Sequence, residues 1–201
     1  MDAQFEEDMD AAVAAFFNND SATLMRELEL IIQSEDAAAP DFAARLLRAY
    51  AYEFGRSPEG VNVALALKDY RFIINGAEQL TSHELTGAAR MLFVLDAVES
   101  SGEIESYCLK AIEIDGSLWG RMLLGELYVR VKGDTRRGRR WFLSAAARGS
   151  PWGLWHAART FGKEGRPLLK ACTSLAALLV APIFRIVSGR SGPFGPGYPK
   201  N

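Results

Sequence analysis

Cysteine and histidine are almost missing from this chain: Cys108, Cys172, His83 and His156 are all it has in 201 residues. Two cysteines cannot build a disulfide framework and fit a reducing compartment. The histidines lie far apart, with no cysteine or carboxylate at ligand spacing, which argues against a zinc site. Neither sits in an elbow or strand context, so Ser-His-Asp or Cys-His catalysis lacks its parts. No Gly-x4-Gly-Lys-Ser/Thr loop is present to cradle a phosphate. A secretory signal needs a basic start and an apolar core; this chain opens Met1-Asp2-Ala3-Gln4-Phe5-Glu6-Glu7-Asp8, so a cytoplasmic location is expected. The residues call for no enzyme activity, cofactor, metal or small-molecule substrate. Glu103, Glu105, Glu113 and Asp115 read as a helix face turned to water. Cys108 and Cys172 read as small apolar filler.

What is present is a folded composition, 49% hydrophobic, with a charge gradient hidden behind a net charge of -2. Residues 1–118 carry 8 Lys/Arg against 22 Asp/Glu, a net of -14, and residues 119–201 carry 15 against 3, a net of +12. Like charges gathered in one half repel one another, so the split points to partners or orientation; a plain solvated surface is the alternative. The basic half is the one suited to phosphate, lipid headgroups or an acidic protein.

Two stretches nearly copy each other 33 residues apart: Gly116-Ser117-Leu118-Trp119-Gly120 and Gly149-Ser150-Pro151-Trp152-Gly153. One step back from Gly120 lies Gly87, so the period suits a helix–turn–helix unit. Spacing predicts a helix over Leu118 to Val131, then a break at Lys132-Gly133-Asp134 with Asp134 as N-cap. A second helix follows over Thr135 to Arg148, with Trp141, Phe142, Ala145 and Ala146 inward and Gly149 as its left-handed end. Gly120, Gly125 and Gly138 inside these helices suggest backbones too close for a side chain, because each costs about 1 kcal/mol relative to alanine.

The pattern Gly120, Leu124, Gly125, Tyr128, then Gly138, Trp141, Ala145, Ala146, Gly149 and Gly153 resembles the Sel1-like repeat, a relative of the tetratricopeptide (TPR) repeat. Glycine stands for alanine at three of these places, and Val131 where the family often has a turn glycine. Fainter units show Ala44, Ala49, Tyr52 and Gly55, with Arg48 at an apolar position, and Gly87 through Met91 and Leu92 to Gly116, with Cys108 in the tryptophan position. A truncated last unit shows Gly153, Ala157, Ala158 and Phe161. The resemblance implies an all-α superhelical solenoid of antiparallel helix pairs. The expected division is a helical cap over 1–40, repeats over 41–166 (about 41–80, 83–116, 117–149 and a partial 150–166), an apolar helix over 167–188 and a flexible Gly/Pro tail over 189–201. In the cap, Leu24, Leu28, Ile31 and Ile32 should form the buried stripe.

The segment Leu168 to Val187 reads as amphipathic, with Pro182 expected to kink it. Lys170, Ser174, Ala177, Ala181, Arg185 and Ser188 share one face; Leu168, Cys172, Leu175, Leu179, Ile183 and Ile186 share the other. Three readings stay open: docking on the last repeat, lying in a membrane interface, or spanning the membrane.

Relatives of this kind are adaptors, often at membranes or in the cell envelope, and the resemblance implies that first helices line a concave surface for a partner protein. Trp119, Arg121, Met122, Glu126, Trp152 and Trp155 are the candidate partner contacts. Arg136 shares a face with Arg139 and with Arg140, so these and Arg137 are candidates for a phosphate or carboxylate patch. Lys163, Arg166, Lys170 and Arg185 are candidates for anionic headgroups around residues 168–187. A purely soluble cytosolic adaptor is the alternative; nucleic acid is disfavoured by the missing exposed aromatics and the acidic first half.

Overall fold

The computed structural model describes residues 3–33, 42–77 and 79–187, with side chains from Glu6 to Leu178. The tail expected over 189–201 and the side chains of residues 179–187, Arg185 among them, lie outside the described residues. Every regular element is helical: α1 (Ala3–Asn18), α2 (Ser21–Gln33), α3 (Phe42–Glu53), α4 (Val63–Gly76), α5 (Ser82–Asp96), α6 (Ser101–Asp115), α7 (Leu118–Glu126), α8 (Thr135–Ala147), α9 (Pro151–Lys163) and α10 (Pro167–Val187). A π-helical turn, Leu127–Val131, continues α7.

The chain forms two compact units, Met1–Asp96 and Ala97–Asn201. Within the first, α1 packs on α2, α2 on α3, α3 on α4 and α4 on α5; within the second, α6 packs on α7, α7 on α8, α8 on α9 and α9 on α10. Packing between chain neighbours is how an array buries apolar faces that one helix pair cannot cover. The repeat expected over 83–116 gives α5 to the first unit and α6 to the second.

In the first unit, Leu24, Met25, Leu28 and Ile31 of α2 are buried, while Ile32 is half-buried. Arg48, the charge at an apolar repeat position, finds its reason 21 residues on. It donates two hydrogen bonds to the buried Asp69, at 2.8 and 2.7 Å, and Arg45 lies 3.6 Å from the same carboxylate. Beside this pair the buried Tyr70 donates to Glu53 at 2.8 Å, and Glu53 is ion-paired with Arg90. Burial pushes the Tyr70 phenol well above its ordinary pKa, and the Glu53 charge adds to the effect.

The second unit shows why the Gly-Ser pairs recur. Gly116 ends α6 in the left-handed region at φ 74°, where a side chain is strained. Ser117 then accepts a hydrogen bond from the Gly120 N–H at 3.2 Å and starts α7. Asp134 caps α8 by accepting from the Arg137 N–H at 2.8 Å, and Ser150 caps α9, with Pro151 in its first turn. Met122, Phe142, Ala145 and Ala157 form the core, with Val129 against it. Burying a side chain such as Phe142 contributes about 1.5–3 kcal/mol. The helices meet at glycine: a Cβ on Gly125 would lie 2.3 Å from the Phe142 ring, and one on Gly138 would lie 2.4 Å from Val129.

The face of α10 turned to the protein is the small-residue seam. Ala177 is buried and Thr173 and Ser174 are half-buried, whereas Leu168, Leu175 and Leu178 are 81%, 58% and 71% exposed. Small side chains allow close approach to α9, where Gly162 meets the aliphatic stem of Lys170; a Cβ there would lie 3.1 Å from Lys170 Cδ. Helix α10 is assigned without a break through Pro182. Among the described residues no helix is long and apolar enough to cross a membrane.

Candidate partner-binding surfaces

Helix α9 lies between α8 and α10, which leaves it one outward stripe. Trp152, Trp155 and Arg159 fall on that stripe at i, i+3 and i+7. The two indoles meet edge to face with centroids 6.1 Å apart, and the Arg159 guanidinium stands 4.9 Å from the centre of the Trp155 ring. Both tryptophans and Arg159 are exposed. His156 fixes the stripe to α7: its Nδ1 lies 2.6 Å from the Glu126 carboxylate, and its ring centre is 5.0 Å from both Phe142 and Trp155. Burial raises the Glu126 carboxyl. The His156 hydrogen bond and the charges of His156, Arg130 and Arg159 outweigh that and hold it below the usual carboxylate range.

Of the six candidate partner contacts, Glu126, Trp152 and Trp155 come together here. Trp119 is half-buried at the start of α7. Two expectations need correction: Met122 belongs to the core, and Arg121 is buried at 8% exposure and turned toward α8. Because α7 is packed by both α6 and α8, residues 120–125 are all buried and the helix has little outward arc left. His156 and Arg159 escaped the sequence reading, although their spacing from Trp152 was a readable signal.

The arginine cluster does not converge as the count from Arg136 suggested. Arg139 pairs with Glu164 at 2.5 Å and stacks 4.6 Å from the centre of the Phe161 ring. Arg136 is exposed. Instead, Arg137, Arg140, Trp141 and Ser144 line one cleft together with Tyr128, about 380 Å³ in volume. Trp141, expected inward, is half-buried and forms part of this wall. The buried side of α8 is set by Gly138, Phe142 and Ala145, so positions 137, 140, 141 and 144 face away from it. Arg137 stands 5.6 Å from the centre of the Tyr128 ring and 3.6 Å from Asp134. Ser144 accepts a hydrogen bond from the buried Arg121, whose Nε reaches the Gly116 carbonyl at 3.4 Å. Burial, with repulsion from Arg148 added, pulls the Arg121 guanidinium below its ordinary pKa. Tyr128 donates to Glu105, which is also ion-paired with Lys132.

Near α10, Lys163, Arg166 and Lys170 are exposed, with Arg166 lying 3.8 Å from Glu164. Among the described residues no group of three or more His, Cys, Asp or Glu side chains is placed to hold a metal ion.

No family model and no curated protein matches the sequence. In fold, the chain is similar to the crystal structure of MamA, with a TM-score of 0.68 and 11% identity, over 90% of this chain and 96% of that one. At that identity the likeness shows the architecture, a TPR-like α-α solenoid, and stops short of the Sel1-like family.

Proposed function

We propose that the chain is a non-enzymatic adaptor that holds a partner protein on its second unit and works beside a membrane on the cytoplasmic side. The observation that carries this reading is the exposed Trp152–Trp155 pair with Arg159 over it. Tryptophan and arginine are the side chains that most often anchor an interface, and this pair is held in place by the His156–Glu126 contact. The membrane half of the reading rests on α10, whose leucines point outward beside Lys163, Arg166 and Lys170. An outward apolar stripe with flanking cations suits an interface with anionic lipid. Nucleic acid is not favoured, because Arg139 is committed to Glu164 rather than forming a row of open cations.

Affinity capture followed by mass spectrometry, wild type against Trp152→Ala/Trp155→Ala, tests the protein half. A partner set unchanged by the double substitution sinks it. Sedimentation with phosphatidylcholine vesicles, with and without phosphatidylglycerol, tests the membrane half. Pelleting should need the anionic lipid and disappear in Leu175→Ser/Leu178→Ser; no pelleting at all leaves a purely soluble adaptor.

A further inference from the structure

The cleft on α8 has more positive charge around it than the protein neutralises. Arg140 is exposed on its rim with no acidic partner among the described residues. Arg137, on the same rim, has only Asp134, whose carboxylate is already engaged in capping α8. Behind Ser144 sits Arg121, a buried cation whose hydrogen bonds go to a hydroxyl and a carbonyl, neither of them charged. A buried charge without a counter-ion is costly, and that cost falls when an anion is brought near. Glu105 does not serve, since it is engaged by the Tyr128 hydroxyl and by Lys132.

We infer that this cleft receives an acidic peptide segment of a partner protein, with a carboxylate between Arg137 and Arg140 and a neighbouring side chain on the Tyr128 and Trp141 rings. Guanidinium groups bind a planar carboxylate through paired N–H donors. Ser144 uses its oxygen to accept from Arg121, which leaves its O–H to donate into the cleft. The aromatic walls provide what a bare phosphate would not use, and the space of about 380 Å³ holds a few side chains rather than a strand. Arg137, Arg140, Trp141 and Ser144 recur at i, i+3, i+4 and i+7, so a single rigid helix presents all four. The inference rests on the adaptor reading and names both a second contact point and the chemistry that would fill it.

The test uses the full chain and fluorescence anisotropy with a fluorescein-labelled hexapeptide, Glu-Asp-Leu-Trp-Glu-Asp. Its amide counterpart, Gln-Asn-Leu-Trp-Gln-Asn, and a labelled thymidine oligonucleotide are run beside it. The acidic peptide should bind and weaken with salt, and Arg140→Glu should lower its affinity by about tenfold or more, as loss of a close charge pair does. Arg136→Glu, which makes the same charge change outside the cleft, should alter it by less than about twofold. Equal binding of the amide peptide, no binding up to about 1 mM, or indifference to Arg140→Glu each overturns the inference. So does an oligonucleotide that binds more tightly and is lost with the same substitution. Trp152→Ala/Trp155→Ala should leave peptide binding unchanged. Peptide binding with an unaltered captured partner set would therefore sink the tryptophan surface alone, and the reverse pattern would sink the cleft alone.

Discussion

Replacing Gly153 by alanine should destabilise the second unit although alanine is the better helix former. A Cβ at this position would lie 2.4 Å from the Phe142 carbonyl oxygen and 2.7 Å from the Ala146 nitrogen, both backbone atoms of α8. Neither can rotate aside, so α8 and α9 would have to part by about 1 Å to reach ordinary contact. Forcing extra carbon into a packed interface costs about 1–3 kcal/mol, and rigid backbone on the far side places this case near the top of that range. Removing a helical glycine returns up to about 1 kcal/mol. The expected net loss is about 2 kcal/mol, or about 10 °C in melting temperature for a unit of this size. Gly102 in α6 provides the opposite sign within the same unit, because a Cβ there meets nothing within 4 Å. Gly102→Ala should stabilise by about 0.5–1 kcal/mol. Thermal unfolding followed by circular dichroism compares the two. A Gly153→Ala chain as stable as wild type would refute the claimed closeness of α8 and α9.

Two further outcomes follow from buried chemistry. Arg48→Met leaves Asp69, 1% exposed, with Arg45 at 3.6 Å as its remaining ion-pair partner, and urea unfolding should show a loss of about 3 kcal/mol. The double variant Arg48→Met/Asp69→Leu should lose less than the single one, and a larger loss would contradict the account of that pair. Burial, with the Glu105 charge added, pushes the Cys108 thiol up to about 12, whereas Cys172 is exposed. A thiol reagent at pH 8 should therefore label one cysteine quickly, and label Cys108 only after denaturation; two fast thiols would show that α6 is not packed as described.

Several elements could be read directly because local chemistry fixes them. The Gly-Ser pairs, Asp134 and Pro151 mark caps, so the bounds of α7 through α9 follow from residues within a turn of each end. The all-helical solenoid followed from the 33-residue period and agrees with the structure. The surfaces were harder, because helical phase depends on what a helix packs against. Counting from Arg136 grouped the wrong guanidinium groups, since Gly138, Phe142 and Ala145 decide which side of α8 faces outward. The burial of Arg121 depends on α7 having neighbours on two sides. Arg48 looked like a defect in its repeat until Asp69 was seen across from it. For α10, the two faces were legible but not the one that packs: close approach at Gly162 favours the small residues over the leucines.

The π-helical turn that continues α7 places the Lys132 N–H on the Leu127 carbonyl, five residues back, at 3.0 Å. Such a turn holds one residue more than an α-helix would over the same rise. Deleting any residue from Leu127 to Val131 would let the segment relax to ordinary pitch and swing everything after it by about 100° around the axis. Tyr128 and Lys132 would then no longer both reach Glu105. Substitution in this stretch is thus tolerable wherever side-chain volume is kept, while a change in its count of residues is not: the turn stores a length rather than a letter.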